Sequence, residues 1–305
     1  RFEGGILWIT VDNQARLNAL TASMWQGVTD AVSAGESDHA VRVMIVRGAG
    51  ERSFSAGADI SEFDTARSGD AAKEYDRIND ACYQTLMACP KPTISMIHGY
   101  CFGGGLELAA CCDLRLADTV ATFSVPAAKL GLGYNARWVR PMFGSLSPAR
   151  IKEMLFTGMR YGAAEAMQIG FLNRVVPAVE LEAQTTALAQ EIAANAPLTV
   201  RAAKMCVDEF VYRPEAVDLK KLDGNKVYVS INTIDTNAFN VSVGAHAGVD
   251  LNLKSVMPNL GGGLFEKAGD LAADQVEKQV EKWINLDFRA THSTSGTEKE
   301  VTNYV

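Results

Sequence analysis

The run VRVMIVRGAG, residues 41–50, constrains the fold more than any other stretch. Val43 to Val46 are consecutively apolar, and Gly-Ala-Gly closes the run. A short apolar run without alternation fits a strand covered on both faces. Such a strand needs helices on either side of its sheet, and the neighbouring sequence supplies them. Residues 21–37, TASMWQGVTDAVSAGES, have helical spacing, with Met24, Val28, Ala31 and Val32 on one face and Thr21 placed to cap. GGILWITVD predicts a strand before that helix. Residues 70–88 predict a helix, KPTISMIHG a second buried strand, residues 105–117 a helix, and LRLADTVATFSVP a return to strand. The alternation makes the first half α/β. From about residue 148 the pattern is mostly helical: SPARIKEMLFTG, GAAEAMQIG, ELEAQTTALAQEIAAN and PLTVRAAKMCVDEFV.

Near Gly224 the character changes. KVYVSINTI and AFNVSVGAHAGVDLNL alternate like strands, and GDLAADQVEKQVEKWINL has Val276, Val280, Trp283 and Ile284 on one helical stripe. The last stretch, RATHSTSGTEKEVTNYV, is expected to be frayed. The division is therefore a core over 1–222 and an unassigned region over 223–305.

The 305 residues, 48% hydrophobic, suit a globular protein with a sizeable core. A net charge of −7 and the lack of a Lys/Arg run argue against a nucleic-acid partner. No apolar run reaches the roughly 18 residues of a membrane span. The opening RFEGGILWITVDN has neither a signal-peptide nor a transit-peptide pattern, so a cytoplasmic location is expected. Six cysteines without framework spacing read as buried, reduced thiols, and four scattered histidines suggest no metal site.

Chemistry concentrates in CFGGGLELAACCDLRLAD, residues 101–118. Gly103, Gly104 and Gly105 serve either close packing at a turn or the opening of a helix N-terminus. In the second case unpaired backbone N–H groups and the helix dipole stabilise negative charge. A dinucleotide loop would need glycine at Leu108. A second turn, Ala56-Gly57-Ala58-Asp59, follows the 41–50 strand and could bring the Ala58 N–H to the same cleft. Two such donors would hold the oxygen of a thioester enolate. Asp59 reads as a helix N-cap rather than a catalyst. Glu107 is either a first-turn acid favoured by the dipole or a proton carrier beside the reacting carbon.

Several spaced segments carry a family resemblance: NALT, FSAGADI, GYCFGGGLELAACCDLRLAD, ATFSVPAAKLGLGY and FTGMRYGAAEAMQIGFLNRVVPAVELE. In this order, over residues 4–222, they resemble the crotonase, or enoyl-CoA hydratase/isomerase, superfamily. The resemblance implies a spiral of ββα units followed by a helical C-terminal region, a coenzyme A thioester as substrate with no separate cofactor, and a homo-oligomer, a trimer or dimer of trimers. By position it implies that Ala58 and Gly104 form the oxyanion hole and that Glu107 is the first of the two glutamates hydratases use. Arg16, Asn18 and Ala19 in ARLNAL, and Ala56 and Asp59 in SAGAD, match segments that contact coenzyme A. Arg16 read alone is equally an ordinary solvated arginine.

Three departures stand out. Ala127, in FSVPAA, occupies the place of the second glutamate, and alanine transfers no proton. Glu62, Asp64 and the YNARW loop are candidates to replace it. Tyr134-Asn135 resembles the PYN stretch of methylmalonyl-CoA decarboxylase-type members, where a tyrosine contacts the substrate carboxylate; those members carry His where this chain has Ala58. The family's closing EGxxAFxEKRxPxF pattern is missing after Leu222. The expected activity is that of an acyl-CoA lyase adding water to a 2-enoyl-CoA thioester. Decarboxylation of a malonyl-type thioester or double-bond isomerisation is the first alternative, and a non-catalytic coenzyme A-binding protein the second.

Overall fold

The 41–50 strand and its neighbours build a six-stranded sheet. The computed structural model describes residues 1–59, 69–213 and 217, and beyond these five strands within 227–303. The chain divides into two units, residues 1–195 with 207–215 and residues 196–206 with 216–305.

In the first unit the strands are β1 (Phe2–Glu3), β2 (Ile6–Val11), β3 (Val43–Gly48), β4 (Ser53–Ser55), β5 (Thr93–Ile97), β6 (Tyr100–Phe102), β7 (Leu114–Asp118), β8 (Thr122–Ser124), β9 (Tyr161–Gly162) and β10 (Arg174–Val176). The larger sheet has the order β1-β2-β3-β5-β7-β10 and is parallel apart from the β1–β2 pair. A four-stranded sheet has the order β4-β6-β8-β9. Three successive strand pairs, β3–β4, β5–β6 and β7–β8, each send their first member to the larger sheet and their second to the smaller. Helices connect them, which is the expected ββα spiral.

Alternating residues of β3 serve two cores. Met44 and Val46 join one cluster, with Trp25, Phe54, Leu106 and Phe123, and Val43 and Ile45 join the other, with Trp8, Ile94 and Leu116. The strand is thus buried on both faces, and each such side chain contributes roughly 1.5–3 kcal/mol of hydrophobic stabilisation.

The helices are α1 (Ala22–Ser37), α2 (Gly69–Ala88), α3 (Gly104–Ala110), α4 (Ala136–Val139), α5 (Pro148–Thr157), α6 (Ala163–Gln168), α7 (Leu181–Ala194) and α8 (Pro197–Tyr212). Thr21 caps α1 by accepting from the Met24 N–H, and the buried stripe is Trp25, Val28, Val32 and Gly35. Trp25 turns inward ahead of Met24, which shifts the expected face by one position. Ser147 caps α5, Pro148 opens it, and Gly158 in a left-handed conformation ends it. Leu181, Thr185 and Ala189 bury one face of α7.

The helix expected over 105–117 stops at Ala110, because Asp113 staples the chain to β5. Its carboxylate accepts from the Thr93 N–H at 2.8 Å and from the Thr93 hydroxyl at 3.0 Å. Residues 114–118 are then free to pair in parallel with β5. Five of the six cysteines are buried, and all six are free thiols.

The second unit contains β11 (Val227–Thr233), β12 (Phe239–Ala245), β13 (Val249–Asn252), β14 (Phe288–His292) and β15 (Glu298–Asn303) in the antiparallel order β13-β12-β11-β15-β14. The strands expected near 226–252 are present. The frayed end expected from Arg289 is corrected: β14 and β15 pair with each other, and Val229 pairs with Val301. Valine and threonine in that stretch suit a pleated ladder once β11 offers a free edge. The helix expected over 269–286 lies outside the described residues. No helix of the described residues is long and apolar enough to cross a membrane.

Candidate active site

Two turns, one after β4 and one before α3, meet at a cleft. Gly57 (φ +99°) turns the first, and a Cβ there would come 2.9 Å from the Phe102 carbonyl oxygen. Glycine therefore permits the close approach. Beyond the turn, Leu20 bridges Ala58 in parallel: the Leu20 N–H donates to the Gly57 carbonyl at 2.7 Å, and the Asp59 N–H donates to the Leu20 carbonyl at 2.9 Å. This register leaves the N–H of Ala58, a residue that lines the cleft, on the side away from Leu20. In the second turn Gly104 is the first residue of α3, whose N–H has no intrahelical acceptor. Gly105 lets α3 lie against β4, since a Cβ there would come 2.7 Å from the Ser55 Cβ and carbonyl oxygen.

The cleft encloses about 710 Å³, its open mouth included. Ala56, Ala58, Gly104, Glu107, Ala127 and Tyr134 all line it. So do Trp138, from the YNARW loop, and Trp25, Tyr75, Asn79 and Tyr83, which the sequence did not single out. The signal for three of these is the spacing of Tyr75, Asn79 and Tyr83, one helical turn apart on α2.

Glu107 is 2% exposed. Its Oε2 accepts a 2.9 Å hydrogen bond from the Tyr83 hydroxyl, while Oε1 is buried without a partner. Burial raises its pKa well above the carboxylate range, and the Tyr83 bond opposes that rise. Tyr83 is pushed upward in turn by burial and by the nearby Glu107, so it remains a proton donor. The Tyr134 hydroxyl is a second buried polar atom without a partner. Its ring meets Trp138 edge-on, centroids 5.6 Å apart. The segment bearing both rings is tied to α2: Asp80 accepts from Arg137 at 2.6 Å and from the Trp138 indole N–H at 3.1 Å.

Ala127 is 9% exposed in the wall, and Glu107 is the one carboxylate among the described lining residues. Glu62 and Asp64 lie outside the described residues. In the YNARW loop, Asn135 caps α4, Arg137 binds Asp80, and Tyr134 and Trp138 line the cleft.

Arg16, Asn18, Ala19 and Asp59 do not line the cleft. Arg16 donates to Asp59 at 2.8 Å, with its own side chain half exposed. The Asn18 amide donates to the carbonyls of Ala49 and Ser53, and its oxygen accepts from the Asn13 N–H. Asn18 holds φ +56° and Leu17 φ +53°, a left-handed pair that this side chain secures.

A cleft lined by the backbone of Ala58 and Gly104, one buried carboxyl and three phenols has the groups to stabilise a developing oxyanion and move a proton beside it. The family model described as enoyl-CoA hydratase/isomerase matches residues 1–235. Crotonyl-CoA hydratase of Syntrophomonas wolfei is 33% identical over 199 residues, 65% of this chain and 76% of the relative. Carnitinyl-CoA dehydratase of Proteus mirabilis is 37% identical over 201 residues, 66% and 76% respectively. A crystal structure of an enoyl-CoA hydratase/carnithine racemase from Magnetospirillum magneticum superposes with a TM-score of 0.70 at 38% identity, covering 73% of this chain and 83% of that one.

Proposed function

The chain belongs to the enoyl-CoA hydratase/isomerase family, and from that premise we propose that it is a hydratase-type lyase, adding water to a 2-enoyl-CoA thioester or removing it from the 3-hydroxyacyl thioester. The observation that carries the reading is the unpartnered Glu107 Oε1 in the cleft lined by Ala58 and Gly104.

In the dehydration direction, the thioester oxygen accepts from the N–H groups of Ala58 and Gly104. The Glu107 carboxylate removes the proton from C2, and the electron pair of that bond moves onto the thioester oxygen as an enolate. The neutral Glu107 carboxyl then gives the same proton to the hydroxyl on C3. The C3–O bond breaks, water leaves, and the enolate pair forms the C2=C3 bond. Hydration is the reverse. One carboxyl suffices because it acts as base and acid in turn, which accommodates alanine at 127. Two backbone donors are the principal stabilisation of the enolate, with about 10²–10³-fold in rate per donor in comparable sites.

The test is mass spectrometry of short 2-enoyl-CoA thioesters incubated with the protein. A gain of one water, abolished in Glu107→Gln, is expected. Unchanged masses across the panel would overturn the reading.

The buried, unpartnered Tyr134 hydroxyl favours a second reading, decarboxylation of a malonyl-type thioester. The phenol would orient the carboxylate, the C2–CO2 bond would break toward the thioester oxygen, and the enolate would take a proton at C2 from the neutral Glu107 carboxyl, which recovers one from water. Loss of CO2 in the same assay, weakened in Tyr134→Phe, separates it from hydration.

A further inference from the structure

Glu107 has two chemically equivalent oxygens, and the structure treats them differently. Oε2 sits 2.9 Å from the Tyr83 hydroxyl and Oε1 has no partner. Tyr83 is buried and packs edge-on against Trp25 at 5.4 Å between centroids, and Asn79, one turn earlier on α2, opposes the upward push that burial gives the phenol. The phenol has two acceptors within reach, the Glu107 carboxylate at 2.9 Å and the Gly104 carbonyl at 3.4 Å, and the shorter contact to the carboxylate is the stronger of the two.

We infer that Tyr83 is a positioning residue: supported by Asn79, it pins Oε2 of Glu107 so that Oε1 alone carries the proton between C2 and the C3 oxygen. This rests on the reading of Glu107 as proton carrier. A carboxyl free to rotate would present either oxygen at either proton site. With Oε2 held, one atom faces both, and substrate alignment sets which bond is made. Tyr83 also stabilises the ionised carboxylate that starts either direction of the reaction, since a donor to the charged form favours it. The Gly104 carbonyl is the weaker, longer acceptor of the Tyr83 hydroxyl, and the titratable groups nearby do not compete. Cys101 on β6 and Cys111 after α3 stay as thiols because burial pushes both well up, and the Tyr75 and Tyr134 phenols line the cleft.

The test pairs spectroscopy with kinetics in the intact chain. The carboxyl infrared band of Glu107, identified by its loss in Glu107→Gln, is followed against pH in wild type and Tyr83→Phe. The neutral-acid band is expected to persist to higher pH in Tyr83→Phe. With crotonyl-CoA as probe, kcat is expected to fall about tenfold or more while KM stays within about twofold. Asn79→Ala is expected to move both readouts the same way by less, and serves if Tyr83→Phe folds poorly. Superimposable titrations in wild type and both variants would overturn the assignment, even if the variants melt earlier. If the titration shifts but wild type adds no water to any 2-enoyl thioester, the hydratase reading fails and the pinning of Glu107 stands.

Discussion

Gly57 leaves open the space in front of the Gly104 backbone nitrogen: a Cβ at residue 57 would sit 3.3 Å from that atom. Alanine there also forces an L-residue to φ +99°. Gly57→Ala is expected to lower stability by about 1–3 kcal/mol. It should weaken acyl-CoA binding further, because the methyl group crowds one of the two donors. Chemical denaturation and calorimetry of binding separate the two effects; unchanged affinity in the folded variant would remove Gly104 from the thioester site.

Glu107→Gln is expected to abolish turnover and to stabilise the fold at neutral pH. The sign follows from burial. In the unfolded chain the carboxyl ionises near its ordinary value of 4.5, and in the folded chain well above it. Folding therefore favours the neutral acid, and stability falls as pH rises from the unfolded value toward the folded one. Glutamine lacks that dependence. Thermal melting should show the variant above wild type at pH 8, with the gap closing below about pH 4.

The same shift sets the pH dependence of activity. Both directions begin from ionised Glu107, so kcat/KM for a 2-enoyl thioester should fall as pH drops through a midpoint above the usual carboxylate range. An acid limb at an ordinary carboxylate pH would place the essential base elsewhere.

Asp80→Asn is expected to act on substrate binding rather than on the proton step. The carboxylate holds Arg137 and the Trp138 indole, and through them the wall that carries Tyr134. Asparagine keeps one acceptor and loses the ion pair, about 1–2 kcal/mol for a half-exposed, charge-assisted bond. KM for crotonyl-CoA should rise several-fold with kcat within about twofold. A fall in kcat alone would contradict this.

The α/β alternation was legible because its longer strands are apolar runs covered on both sides, whereas the ββα spiral followed only from the family resemblance. Val43–Val46 fits a buried strand, and its alternate residues do enter two cores. The end of the helix at Ala110 was not legible, since Asp113 acts by reaching Thr93, twenty residues earlier. β9 and β10 were missed for a related reason: two or three residues are too few to show a period, and only the sheets they join define them. In the cleft, Glu107, Ala58 and Gly104 stood out by their glycine context. Tyr83 and Asn79 did not, because aromatic and amide residues on a helical stripe look like ordinary core until the acid they face is placed beside them. The position of Asn18 shows the converse: a polar residue in a recognisable segment is occupied by three backbone groups, one in its own loop and two, Ala49 and Ser53, more than thirty residues away.

With Glu107 the one lining carboxylate among the described residues, and burial holding the Tyr83 phenol and the nearby Cys101 and Cys111 thiols neutral, the proposed reaction keeps a constant electrical count. When Glu107 gives up its charge by taking a proton, the thioester oxygen acquires one; when the proton returns, the charge returns with it. A cleft that would be penalised for holding two negative charges at short range never has to. A second acid at position 127 would break that parity, and its absence leaves the chain with a site in which charge is relocated and never accumulated.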